Sequence, residues 1–421
     1  MPRWLAAFLY RALLLAALPL IPLRLWWRGR REPGYRAHIG ERFGRYTQRL
    51  DQPVIWLHAV SVGETRAAQP LVRAIRTRYP DHALVITQMT AAGRETAESL
   101  YGNDAKICFL PYDYPFAVRR FLDHFRPRLG IVMETEVWPN LLRACRAREI
   151  PLLLANARLS ERSARGYARA GQFAREAFGA FAATAAQTRD DAARLAGLGA
   201  SRVEVTGNLK FDVESAPDAE ARGDAIRRRC GTRPVALFAS TREGEEALLL
   251  DALSRRPLDD AAIVIVPRHP QRFDEVASLL ARRGLSFVRR SEERPLSENI
   301  HVLLGDSMGE MAAYYAACDV AFIGGSLLDY GAQNLIEACA AGKPVLIGPS
   351  DFNFAQAAAL AIEAGAALRV RDADDAVDAM RAVLADPARR ERMGEAGRAF
   401  SAAHRGATRR TMALLERLIA A

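Results

Sequence analysis

Trp56-Leu57-His58-Ala59-Val60-Ser61-Val62-Gly63-Glu64-Thr65 is an apolar run that breaks at Ser61 and Gly63 and delivers one carboxylate, Glu64, where a helix should begin. A strand, a small-residue turn and an acid at the next helix start is how an open α/β sheet presents a catalytic group above its carboxyl edge. Glu64 is the candidate general base. The plainer alternative is that an acid in a first helical turn only complements the helix dipole, worth about 0.3 to 1 kcal/mol.

Outward from this stretch the same pattern recurs. Strand-like runs VIWLHAV (54–60), ALVITQM (83–89), KICFLPY (106–112), LGIVMET (129–135), PLLLANA (151–157), FAATAAQ (181–187) and VEVTGN (203–208) alternate with helical stretches. Short apolar runs between helices indicate parallel strands buried on both faces, the doubly wound arrangement. A second series follows: PVALFAS (234–240), AAIVIVPR (261–268), LSFVRR (285–290), HVLLGD (301–306), VAFIGG (320–325) and PVLIGP (344–349). The expected fold is α/β, with two Rossmann-like domains facing across a cleft, the GT-B arrangement, behind an N-terminal membrane anchor helix. The expected divisions are 1–33 for the anchor and its basic flank, 34–213 and 233–390 for the two domains, 214–232 for a linker and 391–421 for terminal helices packing back on the body. Neither domain has GxGxxG after its first strand and no GxxxxGK[ST] occurs, which disfavours a dehydrogenase or a P-loop kinase and suggests a two-Rossmann glycosyltransferase.

A chain of 421 residues exceeds one ordinary core and suits two domains of roughly 150 to 200 residues. Five cysteines, Cys108, Cys145, Cys230, Cys318 and Cys339, stand singly without CxxC spacing. They indicate neither a disulfide framework nor a zinc site. The net charge of +10 raises nucleic-acid binding, but the cations are dispersed through helices without interleaved aromatics, so no nucleic-acid partner is expected. An anionic membrane surface explains the excess better. Trp4 to Trp27 is largely apolar, with Arg28, Arg30 and Arg31 after it and only Arg3 before it. Its length suffices for a span, and the positive-inside rule places the remaining body in the cytoplasm at the inner membrane. Arg11, Pro19 and Pro22 weaken a straight span, so a helix lying in the interface is the alternative.

Almost every cation is arginine; lysine occurs only at Lys106, Lys210 and Lys343. In such a chain a remaining lysine marks a place where a compact ammonium works and a planar guanidinium does not. Lys106 and Lys343 have easy surface explanations, whereas Lys210, inside GNLKFD, does not. Glu134 and Glu136, in METEVWPN, end another strand; two apart in extended chain, they point the same way. They could instead cap the helix that Pro139 begins. In the second domain Pro267, Arg268 and His269 end a strand, and Arg268 can pair bidentately with a phosphate, while His269 could simply pack or cap. Gly309, Glu310 and Met311 open a helix whose amides suit an anion. Asn334 and Glu337 have the spacing of a capping box. Ser240 and Thr241 are weaker candidates that ordinary capping explains about as well.

WLHAVSVGET, LPYDYPFAVRRFL, METEVWPNLL, NARLSERSARGY, GNLKFD, VPRHPQRF, GDSMGEM and GGSLLDYGAQNLIEA together resemble, in the same order, the motifs of bacterial 3-deoxy-D-manno-octulosonic acid (Kdo) transferases. The resemblance covers the chain from its N-terminal segment to about residue 360 and is loose beyond Phe354. It implies an inverting, metal-independent glycosyltransferase, without a cofactor, that moves Kdo from CMP-Kdo to the lipid A precursor, lipid IVA, of lipopolysaccharide. It assigns the base to Glu64, transition-state stabilisation to Glu134 and Lys210, and donor binding to Pro267, Arg268, Gly309, Glu310, Met311, Asn334, Leu335, Ile336 and Glu337. Lys210 would offset charge near the departing phosphate or the Kdo carboxylate. Ser240 and Thr241 are the weaker candidates for holding that carboxylate. One departure stands out: relatives carry Gly-Gly-His-Asn where this chain has Gly331-Ala332-Gln333-Asn334, and glutamine cannot titrate near neutrality. A two-Rossmann nucleotide-sugar epimerase and a membrane-tethered nucleotide-sugar binding protein are the alternatives.

Overall fold

The computed structural model describes residues 3–30, 32–214, 217–297 and 300–420; Arg31 of the basic flank and the side chains of Arg3 and Trp4 lie outside the described residues. The chain forms two units, Met1–Val213 with Arg405–Ala421, and Glu214–His404. In the first, strands β1 (Val54–His58), β2 (Ala83–Gln88), β3 (Lys106–Phe109), β4 (Pro127–Met133), β5 (Leu152–Ala157), β6 (Ala183–Ala186) and β7 (Val203–Val205) form a sheet in the order β3-β2-β1-β4-β5-β6-β7. Every pairing in it is parallel. The second unit holds β8 (Val235–Thr241), β9 (Ala262–Pro267), β10 (Phe287–Arg289), β11 (Val302–Leu304), β12 (Val320–Ile323), β13 (Val345–Ile347) and β14 (Ala367–Arg369), in the order β10-β11-β9-β8-β12-β13-β14, again all parallel. β14, Ala-Leu-Arg, is too short and too lightly apolar to read as a strand on its own.

Burial on both faces explains the unbroken apolar runs: all five residues of β1 are buried. Trp56 packs fully inside and donates its indole N–H to Thr87 Oγ1 at 2.8 Å. The space for its ring exists because β4 carries a glycine: a Cβ at Gly130 would lie 2.8 Å from Trp56 Cε3 and 2.4 Å from Leu152 Cδ2. The order reverses between β1 and β4 in one unit and between β8 and β12 in the other. The carboxyl ends at such switch points are where doubly wound sheets bind ligands.

Three sequence expectations change. The supposed linker is largely a helix, Ala219–Cys230, with Ile226 and Cys230 fully buried in the second unit. The terminal helices do not act together. Pro387–His404 belongs to the second unit, whereas Ala407–Ile419 returns to the first. There its Met412, Leu414, Leu415 and Leu418 share a core cluster with Ile55, Leu57 and Ile86, and Asp212 caps it by accepting from Gly406 N at 2.7 Å and Thr408 N at 2.6 Å. An amphipathic stripe shows that a helix packs, not on what.

The single anchor helix is also replaced by two, Arg3–Ala17 and Leu20–Arg28. No single helix among the described residues is long and apolar enough to cross a membrane; Phe8–Ala17 and Leu20–Arg28 meet that test only as a pair bent by 56°. Pro19, without an N–H, stands at the break, where a straight continuation loses a hydrogen bond and gains a clash. The first helix is docked on the first unit. Tyr10 donates to Asp113 Oδ2 at 2.7 Å, Tyr114 donates to Leu14 O at 2.6 Å, and the Tyr10 and Phe173 rings lie 6.0 Å apart. Phe8, Leu9, Leu13, Leu15, Leu20, Leu23, Trp26 and Trp27 are exposed.

Candidate active site

Glu64 sits where the sequence puts it, in the first turn of the helix Val62–Ala67 after β1, and it is 8% exposed. Ser61 caps that helix: its Oγ accepts from Glu64 N at 3.3 Å and donates to Glu64 Oε1 at 3.0 Å. Val60 N donates to the other oxygen, Oε2, at 2.8 Å. One carboxylate thus takes part in the cap and is held by two donors. Burial pushes its pKa up to about 7, the Val60 and Ser61 hydrogen bonds oppose this, and the charges of Glu134 and Glu136 add to it. A base poised near the operating pH combines availability with proton-accepting strength.

Glu134 follows β4 but not as extended chain. It is left-handed, with φ 55°, so the inference that Glu134 and Glu136 point the same way does not hold. The cost of a left-handed non-glycine residue persists only where its surroundings enforce it; here Glu134 N donates to Ala155 O at 2.9 Å. Glu136 is raised by burial and by the Glu134 charge. Lys210 lies in the short 3₁₀ turn Leu209–Asp212, whose start Asn208 caps by accepting from Lys210 N at 3.0 Å. Burial lowers the Lys210 pKa; Arg158 acts in the same direction, while Glu134 and Glu64 oppose it. Two acids and one ammonium thus share a partly desolvated locus within the first unit.

In the second unit β9 ends at Pro267, which is buried, and Arg268 continues from it with its N–H on Thr241 O at 2.9 Å. Its guanidinium Nε donates to Gln333 Oε1 at 3.1 Å. His269 is held below the ordinary imidazole range by burial and by the cations Arg242, Arg268 and Arg272. Gly309 is left-handed, φ 78°, and Glu310 and Met311 open the helix Met311–Ala317. The N–H groups of these three residues make no hydrogen bond among the described residues. The Glu310 carboxylate faces Arg290 at 3.4 Å and Arg222 at 3.6 Å.

The capping box at Asn334 is shifted. The helix starts at Ile336, Asn334 Oδ1 accepts from Ile336 N at 3.1 Å, and Glu337 Oε1 accepts from the Asn334 amide at 2.8 Å. Leu335 and Ile336 are buried in the core, so they can offer a ligand only backbone. Thr241 is fully buried and donates to Glu246 Oε1 at 2.7 Å, a structural role. Among the described residues no group of three His, Cys, Asp or Glu could hold a metal ion.

Two organising acids escape the sequence reading. Glu245 is fully buried and accepts from Gly325 N at 2.6 Å, Leu327 N at 2.9 Å and Arg242 N at 2.8 Å, which fixes the turn after β12. That turn needs its glycines, since a Cβ at Gly324 would lie 2.5 Å from Ser240 O and Gly325 has φ 70°. In the first unit Asp113 accepts from Asn140 N and Leu141 N, both at 2.8 Å, and so fixes the helix that follows Glu134 and Glu136. The only sequence signal for either is an acid beside a turn, single at Asp113 and one of three at Glu243, Glu245 and Glu246.

Two all-parallel seven-stranded units, each with a switch point, make an α/β architecture with GT-B-like neighbours. The fold is shared by enzymes of different activity. A glycosyltransferase from Rickettsia africae aligns with TM-score 0.59 at 13% identity, covering 88% of this chain and 99% of its own. The UDP-GlcNAc 2-epimerase of Neisseria meningitidis aligns with TM-score 0.58 at 14% identity, covering 88% and 100%. Sequence separates what fold does not. The profile of the 3-deoxy-D-manno-octulosonic-acid transferase family matches residues 37–213, and that of glycosyl transferases group 1 matches residues 285–400. The chain is 49% identical to the 3-deoxy-D-manno-octulosonic acid transferase of Bordetella pertussis and 37% identical to that of Haemophilus influenzae, in each case over 97% of this chain and 98% of the relative. The chain belongs to the Kdo transferase family and is a glycosyltransferase.

Proposed function

We propose that the protein transfers Kdo from CMP-Kdo to a hydroxyl of the lipid A precursor lipid IVA, by one displacement that inverts the anomeric centre. Glu64 takes the hydroxyl proton, and Glu134 and Lys210 stabilise the transition state. Arg268, the amides of Gly309 to Met311 and the segment Asn334 to Glu337 hold CMP. The observation that carries this reading is the buried Glu64 carboxylate, pushed up to about 7 and oriented by Val60 and Ser61 at the carboxyl end of β1. One base and an activated leaving group suffice, without the carboxylate nucleophile of a retaining glycosidase.

The body is assigned to the cytoplasmic face of the inner membrane, with the N-terminal helices lying in the interface. The Tyr10–Asp113 and Tyr114–Leu14 bonds support that posture over a span, since a spanning helix would carry Tyr10 and Leu14 into hydrocarbon away from them. Exposed Trp26 and Trp27 beside Arg24 and Arg30 suit a headgroup region. The test supplies CMP-Kdo with lipid IVA in anionic vesicles. CMP release and co-sedimentation are expected; CMP retained with every acceptor points to a binding protein, and a protein left in the supernatant refutes the attachment.

Gln333 yields a separate expectation. Its amide oxygen orients Arg268, so Gln333→Ala is expected to raise the KM for CMP-Kdo about 10-fold, the scale of one hydrogen bond to a charged group, with kcat little changed. Wild-type donor KM should be flat between pH 6 and 8, whereas Gln333→His should make it pH-dependent as the imidazole titrates. A donor KM indifferent to both substitutions refutes the assignment.

A further inference from the structure

Asn156 is fully buried at the end of β5 and left-handed, with φ 53°. Its Oδ1 accepts from Leu209 N at 3.0 Å, fifty-three residues along the chain, while its Nδ2 is buried without a partner. Packing alone does not account for this choice. Glycine would take the positive φ without strain and the unpartnered Nδ2 is costly, but glycine or an apolar side chain would leave the buried Leu209 N–H without its acceptor. What the asparagine side chain adds is a short acceptor on a left-handed backbone, aimed at the residue before Lys210.

The same segment holds the opposite side of the site. Ala155 O accepts from Glu134 N at 2.9 Å, and Arg158 O accepts from Thr135 Oγ1. Gln187, in turn, pins the segment through Nε2 on Asn156 O and N on Ala157 O, both at 2.9 Å. Residues 155–158 are thus one bracket from which the Glu134 turn and the Lys210 turn both hang. We infer that Asn156 is a positioning residue that fixes the Leu209–Lys210 turn, and through it the Lys210 ammonium, relative to Glu134. The inference rests on the proposed role of Lys210 only for its consequence in turnover; the placement of the lysine can be read without it.

That reading is available because the chain has three lysines, Lys106, Lys210 and Lys343. Acylation of each can be followed by peptide mass spectrometry, with Lys106 and Lys343 as internal references. Asn156→Gly keeps the left-handed backbone and deletes the acceptor, whereas Asn156→Asp keeps an acceptor at the same place. In the full-length protein, Asn156→Gly is expected to speed Lys210 acylation several-fold relative to the references. It should also lower kcat about 10- to 100-fold, the scale of ångström-level misplacement, with donor KM changed little. Asn156→Asp should restore the slow acylation. A folded Asn156→Gly enzyme with wild-type Lys210 acylation and kcat overturns the inference, as does an Asn156→Asp enzyme whose Lys210 is as reactive as in Asn156→Gly. If Asn156→Gly does not fold, amide exchange at Leu209 in Asn156→Asp decides: exchange as slow as wild type supports the inference and faster exchange overturns it. Lys210→Ala assayed in parallel separates the two claims. Undiminished turnover there removes the catalytic role of Lys210, while the acylation result still judges Asn156.

Discussion

Glu64→Gln is expected to lower kcat by about 10²- to 10⁴-fold, the usual contribution of a positioned general base, while CMP binding by the second unit is unchanged. The substitution is nearly isosteric, and the amide oxygen can still accept from Val60 N while the amide nitrogen can turn to Ser61 Oγ. What disappears is proton affinity. A stability measurement gives the same substitution a second, opposite signature. The Glu64 pKa rises from an ordinary 4.5 to about 7 on folding, so between those values the folded chain keeps a proton that the unfolded chain has lost. Stability therefore falls as pH rises through that window, and the penalty is complete above about pH 7. At about 1.4 kcal/mol per pKa unit the ionised carboxylate costs on the order of 3 kcal/mol. Glutamine escapes that cost, so Glu64→Gln should melt higher than wild type at pH 8 and no higher at pH 4. An inactive variant that is also less stable at pH 8 would mean that Glu64 serves mainly as a cap; a variant with near-normal turnover would remove the base assignment.

Part of this site is legible in the sequence and part is not. β1 and Glu64 are legible because the chemistry is local: an apolar run, two small residues and an acid fall within ten positions, and the observed cap Ser61 lies three residues from the carboxylate it serves. Lys210 stands out for a compositional reason, as one of three lysines among 59 Lys and Arg residues. Glu245, Asp113 and Asn156 are not, because their roles depend on partners 80, 27 and 53 residues away. No window on the chain brings those together. The Glu134 conformation fails for a related reason, since spacing of two implies a shared face only while the chain stays extended, and β4 ends one residue earlier at Met133. The N-terminal pair shows the same limit. Hydropathy counts residues fit for a membrane, but it does not see the break at Pro19 or the distant Asp113 that holds Tyr10 of the first helix.

Lys210→Arg should retain charge and still lose turnover, by at least about 10-fold, whereas Lys210→Ala should lose about 10²- to 10³-fold, the scale of one preorganised donor at a developing charge. The ammonium is a compact charge on a flexible stem, but guanidinium is planar, larger and presents five donors in a fixed fork. The turn that carries Lys210 is tied at Leu209 N and Lys210 N, to Asn156 and Asn208, so it cannot readily move to admit the fork. The pH profile separates size from charge. Burial lowers the Lys210 pKa from 10.5, and only the protonated form can offset negative charge, so wild-type kcat should fall on the alkaline side as pH rises through that lowered value. With Glu64 as the base, an acid limb is expected near pH 7. Arginine does not titrate in this range, so Lys210→Arg should keep the acid limb, lose the alkaline limb and run flat at a reduced plateau. Full activity of Lys210→Arg at pH 8 would show that any cation suffices and that the scarcity of lysine carries no functional meaning. An alkaline limb that survives the substitution would assign that titration to another group and leave Lys210 without a measurable role in charge stabilisation.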